Sequence, residues 1–83
     1  MTLVTLDNDL YGSVDVIARE ITECDLLVEM PYVPPIGTVM TVSIGGVEWA
    51  KAEVTEMVSR DLARALLRLR FVGVEQVEAG TVQ

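Results

Sequence analysis

Four arginines crowd one short stretch, Arg60, Arg64, Arg68 and Arg70, and three acids, Glu20, Glu23 and Asp25, surround the chain's only cysteine, Cys24. A planar guanidinium bonds carboxylate or phosphate through paired N–H groups, so the arginine stretch suits docking of an acidic partner. The alternative is that these arginines pair with carboxylates on neighbouring strands, which needs no partner. The acids could gather a hard cation, but the calcium-loop spacing and its glycine are absent. A solvated hairpin turn accounts for the same residues. Cys24 has no histidine to activate it, because the chain contains none. That also removes the usual general base and the commonest metal ligand. Gly45-Gly46 is explained by a hairpin rather than a phosphate loop. No catalytic residue, metal or other cofactor is expected.

Charge is unevenly spread over the 83 residues, whose net charge is −7. Residues 1–30 carry seven acids against the single base Arg19, a balance of −6, while residues 59–71 carry four arginines against one acid, a balance of +3. An acidic chain repels a phosphate backbone, so nucleic acid and anionic membranes are poor partners. No stretch approaches the roughly 18 uninterrupted apolar residues of a membrane span, and the N-terminus lacks the pattern of a secretory signal. One cysteine cannot form an intrachain disulfide, which fits a reducing compartment. The expectation is a soluble, cytoplasmic protein of one domain, residues 1–83, with a core over about 3–74 and a short polar tail over 75–83.

The elements that must position these residues are strands, because apolar residues recur with period two. Leu3–Leu6 reads as a first strand. From Ser13 to Ile21, Val14, Val16 and Ala18 share one face. Thr22–Asp25 reads as a turn and Leu26–Met30 as the returning strand. Pro31, Pro34 and Pro35 then exclude regular pairing, since proline lacks the ladder donor. In Thr38–Ile44, Met40, Val42 and Ile44 share a face. Val47–Val58 follows the glycine hairpin with Ala50, Ala52, Val54 and Val58 on one side and Trp49, Lys51, Glu53, Thr55 and Met57 on the other. Trp49 could anchor an interface, or be covered by Tyr11, Tyr32 or Met57. Ser59–Phe71 is ambiguous. As a strand it sets Ala63, Ala65, Leu67, Leu69 and Phe71 against Arg64, Leu66, Arg68 and Arg70; as a helix it would be capped by Ser59 and stack Arg60, Arg64 and Arg68 at successive turns. The whole pattern indicates an all-β barrel or sandwich of five or six strands, with a helical turn over 59–64 left open.

Several segments together carry a family resemblance. They are Val14–Arg19 with Glu20-Ile21-Thr22-Glu23-Cys24-Asp25, then Leu26–Glu29, Pro35-Ile36-Gly37-Thr38, and Leu67-Arg68-Leu69-Arg70-Phe71-Val72-Gly73-Val74. Their layout resembles the PilZ domain, a small β-barrel best known as a receptor for cyclic di-GMP, over roughly residues 3–74. The resemblance implies a PilZ-like barrel and favours the strand reading of Ala63–Phe71. The chain departs from the family where the nucleotide is held. Its paired arginines near the N-terminus have no counterpart, since no arginine precedes Arg19. In the turn, Glu20 stands where the family has Asp or Asn, Thr22 where it has Ser, and Asp25 where it has Gly. Arg68 occupies the place of a later glycine.

Arg19, Glu20, Thr22 and Asp25 therefore read as a vestigial nucleotide-binding turn, inactive toward cyclic di-GMP in the usual mode. Divergent members of the family resemble this chain in lacking the nucleotide motif, and they work through partner proteins in bacterial motility, surface polysaccharide or type IV pilus systems. The resemblance so implies a non-catalytic adaptor in bacterial signalling, with Trp49, Arg64, Leu66, Arg68 and Arg70 as the partner surface. Two alternatives stay open. One is a cyclic di-GMP receptor whose site is non-standard or lies at a subunit interface; the other is a self-assembling module, a homo-oligomer with the acidic region facing a neighbour's basic one.

Overall fold

A computed structural model describes residues 2–61 and 63–72. Six strands form: β1 (Thr2–Asn8), β2 (Gly12–Ile21), β3 (Asp25–Met30), β4 (Val39–Ile44), β5 (Val47–Arg60) and β6 (Ala65–Val72). They close into a barrel in the order β1-β2-β3-β6-β5-β4, every pairing antiparallel, with β4 returning to β1 through Thr5↔Ser43, Leu6↔Val42 and Asp7↔Thr41. The all-β barrel expected from period-two patterning is what the chain adopts.

Alternation decides what points inward. Val4 and Leu6, Val16 and Ala18, Leu26, Val28 and Met30, Met40 and Val42, Ala52 and Val54, then Ala65, Leu67, Leu69 and Phe71 fill the interior. Val14, Ile44 and Ala50 pack against this core while partly exposed. Among the described residues, no polar or charged residue is buried. Closure leaves the barrel without a free sheet between its ends, and burying a leucine or valine there contributes about 1.5–3 kcal/mol.

The connections follow from turn chemistry. Gly45 and Gly46, at φ 63° and 84°, make the tight two-residue hairpin between β4 and β5, a conformation glycine adopts without a Cβ penalty. Between β1 and β2, the Asn8 side chain accepts from the backbone N–H of Leu10 (2.7 Å) and Tyr11 (3.1 Å), and its amide donates to the Val39 carbonyl at 2.8 Å. Residues 31–38 cross one end of the barrel from β3 to β4, with Pro34 buried and Tyr32 and Val33 packed on the core. Tyr32 stacks on Tyr11 at 5.9 Å. The prolines keep this crossing out of the sheet until Gly37 and Thr38 rejoin it on either side of Val54, at 2.7 and 2.9 Å.

Two expectations, on Ala63 and Val58, need correction, and two open alternatives narrow. The helical alternative over 59–64 is not adopted: β5 runs through Arg60, and Asp61 turns the chain by accepting from the N–H groups of Ala63 and Arg64, both at 2.9 Å. The strand prevails because β6 fills the gap between β3 and β5, pairing with both along its length. Ala63 consequently lies in the turn, exposed, rather than on the inner face. Val58 is exposed as well, because the ladder between β5 and β6 shifts register at Thr55 and again at Val58, and each bulge inserts an extra residue into β5. Trp49 is itself such an extra residue, between the pairs Val42↔Ala50 and Ser43↔Glu48. The bulge sets its ring edge-on to Phe71 at 5.0 Å, while Tyr11 and Tyr32 stack on each other, and Trp49 stays 51% exposed. The tail expected over 75–83 lies outside the described residues.

Candidate functional site

The β2–β3 turn is closed by its own side chains. The Thr22 hydroxyl accepts from the N–H groups of Cys24 (3.2 Å) and Asp25 (3.1 Å) and donates to the Asp25 carboxylate at 2.9 Å. The Thr22 N–H donates to the Asp25 carbonyl at 2.8 Å, and the Cys24 carbonyl accepts from the Phe71 N–H at 2.8 Å, tying the turn to β6. Threonine and aspartate at this spacing satisfy the turn's backbone locally, which is their common use in hairpins. Cys24 stays exposed.

The four residues of the vestigial site do not converge. Thr22 and Asp25 are bonded to each other, and Glu20 is exposed opposite Leu27. Arg19 is the extra residue of a bulge between Ala18 and Glu20, and its guanidinium donates to the Glu29 carboxylate at 2.5 Å, away from the turn.

On the outer face of β6, alternation brings Leu66, Arg68 and Arg70 into one column that Arg64 begins. Trp49 is not part of it; it packs on Phe71 from the adjoining strand. Barrel order then supplies the arginines with acids. Arg64 donates to Glu29 at 3.1 Å, and Arg68 lies 3.6 Å from Asp25 and 3.7 Å from Glu56. Arg70 stands in register with Asp25 and Glu53, although no ion pair joins it to an acid among the described residues. Pairing with neighbouring strands, the second use considered for these arginines, thus accounts for Arg64 and Arg68.

One participant was not visible beforehand, and another was read only as part of the arginine stretch. Glu29 accepts from Arg19 and Arg64 at once, and the Arg19 hydrogen bond chiefly holds its carboxyl below the usual value of 4.5, with Arg64 adding to the effect against partial desolvation. Its one signal in the sequence is an acid at an outward position within Leu26–Met30, a segment otherwise apolar. Arg60, at the end of β5, has no ion-pair partner among the described residues. With Arg19, Glu29, Ser59, Arg64 and Leu66 it lines an open depression of about 220 Å³. A second depression of about 280 Å³ shares Glu29 and Arg64 and reaches Leu3, Asp15 and Ile17.

Among the described residues no group of three or more histidines, cysteines or acids could hold a metal ion. No helix there is long and apolar enough to cross a membrane. The arrangement can present guanidinium groups and apolar side chains to a ligand. No family model, no curated protein and no solved structure matches the chain.

Proposed function

We propose that this chain is a non-catalytic, PilZ-like adaptor that acts in the bacterial cytoplasm by binding another protein in a signalling, motility or surface-structure system. The observation that carries this reading is the self-contained β2–β3 turn. Thr22 is spent on Asp25 and on backbone N–H groups, Asp25 lies beside Arg68, and Arg19 is engaged by Glu29. A dianionic dinucleotide would meet Glu20, Glu23 and Asp25 there, while Arg19 is directed away to Glu29, and such a ligand needs paired guanidinium forks at the turn. The outward arginines, in contrast, are of a residue type enriched at protein interfaces.

Calorimetric titration with cyclic di-GMP at moderate salt tests the reading, because a ligand specific for the native state must bind measurably. A flat titration of verified folded protein is expected. Saturation near about one or two nucleotides per chain would replace the adaptor with a receptor of altered site.

A further inference from the structure

Register places five outward residues from five strands in one row: Leu3↔Ile17, Ile17↔Glu29, Glu29↔Leu66 and Leu66↔Ser59. The two depressions lie end to end along this row and meet at Glu29 and Arg64. At strand spacings of about 4.8 Å the row is roughly 19 Å long, the span of about six residues of extended chain. Its character changes along its length. Leu3 and Ile17 make one end apolar, and Leu3 is 59% exposed. Arg19, Arg64 and Arg60 flank the other end.

Those arginines retain bonding capacity. Arg19 and Arg64 each commit one terminal nitrogen to Glu29, and Arg60 forms no ion pair among the described residues. A guanidinium carries five N–H donors, so most remain for a ligand. Glu29 holds two of the groups in place, which lowers the ordering cost of binding. Asp61 lines the basic end and Asp15 the apolar end, and both keep their charge while accepting from neutral donors, Asp61 from the Ala63 and Arg64 N–H groups and Asp15 from the Thr5 hydroxyl at 2.7 Å; at the basic end three arginines still outnumber the two acids Glu29 and Asp61.

We propose that this row is a groove for an extended acidic segment of a partner protein, with apolar side chains on Leu3 and Ile17 and carboxylates on Arg19, Arg60 and Arg64. The proposal deepens the adaptor reading and rests on it in taking a protein as the ligand. Apolar contact with the first end supplies hydrophobic burial, and charge-assisted hydrogen bonds at the second select acidic sequences.

The test is a fluorescence-anisotropy titration with a labelled peptide of two leucines followed by four glutamates, paired with amide-shift mapping on isotope-labelled protein. The counterpart with glutamines in place of the glutamates serves as control. Saturable binding is expected, about tenfold or more weaker for the glutamine peptide and for Arg60→Glu, with shifts confined to the row and to Arg19, Arg60 and Arg64. Arg60 is exposed at a strand end, so Arg60→Glu should keep the barrel's amide spectrum; Arg64→Gln provides a second, milder variant. Equal affinity for both peptides, binding undiminished by Arg60→Glu, shifts elsewhere, or no saturation would each overturn the groove. The two proposals fail separately. A saturating nucleotide titration removes the adaptor, whereas a failed peptide titration removes this groove and leaves the adaptor in place.

Discussion

The two ion clusters on the outer face of β3 and β6 have opposite constitutions. Toward the β2–β3 turn, one arginine, Arg68, stands between two acids, Asp25 and Glu56, at 3.6 and 3.7 Å. Toward the β5–β6 turn, one acid, Glu29, stands between two arginines and accepts a hydrogen bond from each, at 2.5 and 3.1 Å. The same residue types thus leave negative charge at one end and positive charge at the other. In a chain of net charge −7, the second cluster concentrates what an acidic partner could recognise. The first is longer-range and lies beside the closed turn. What differs is which residue type stands in the middle, an arginine on β6 in one cluster and a glutamate on β3 in the other, and their partners are set by barrel order rather than by local composition.

The largest effect that sharpens this contrast comes from below it. Leu67, fully buried on β6, is paired with Val28 and Met57 and underlies both clusters. Leu67→Ala should lower the unfolding free energy by about 2–5 kcal/mol in urea titration, through lost burial and the cavity left behind. Arg68→Ala, removing an exposed pair of loose geometry, should cost about 1 kcal/mol or less. If Arg68→Ala proved as damaging as Leu67→Ala, the outer clusters would be stabilising elements and not a presented surface.

An intermediate effect separates the turn from the clusters. Thr22→Val preserves shape but removes the acceptor for the N–H groups of Cys24 and Asp25. It should cost about 1 kcal/mol, and hydrogen exchange should quicken at those two amides while staying unchanged at Arg64. Unchanged exchange at Cys24 and Asp25 would show that the hydroxyl does not close the turn, and the argument against nucleotide binding would weaken with it.

The inner face of the barrel was legible because burial on one face imposes period two. Val16 and Ala18, Leu26, Val28 and Met30, and Leu67, Leu69 and Phe71 point inward as their alternation requires. The hairpin at Gly45-Gly46 was legible for a different reason, since two adjacent positive φ angles restrict the residue choice. Bulges were not legible. Each inserts one residue with no compositional mark, and so Trp49 and Val58 left the faces their parity assigned. Glu29 escaped notice because its partner Arg64 is 35 residues away and the two meet only when β6 docks between β3 and β5. Local propensity over Ser59–Phe71 favoured a helix, and tertiary pairing overrode it.

The smallest expected effect is the acid response of the arginine–glutamate cluster. Glu29 titrates below its ordinary value of 4.5, mainly through the hydrogen bond from Arg19, so the folded protein binds fewer protons than the unfolded chain between the two values. Stability from this group is therefore complete above about pH 4.5 and is lost as pH falls through the depressed folded value. Asp61 shifts in the same direction, through the N–H groups of Arg64 and Ala63, and adds its own acid limb to the wild-type curve. Subtracting the Glu29→Gln variant isolates Glu29. The wild type should exceed the variant by a few degrees of melting temperature near pH 7, and the gap should narrow toward about pH 2 once Glu29 is protonated in both states. High salt should narrow it too, because both arginines are half-exposed or more, at 50% and 60%. A gap that stayed constant with pH would mean that the glutamine change acts through packing, and Glu29 would then not be the charge that holds Arg19 and Arg64 ready for an acidic ligand.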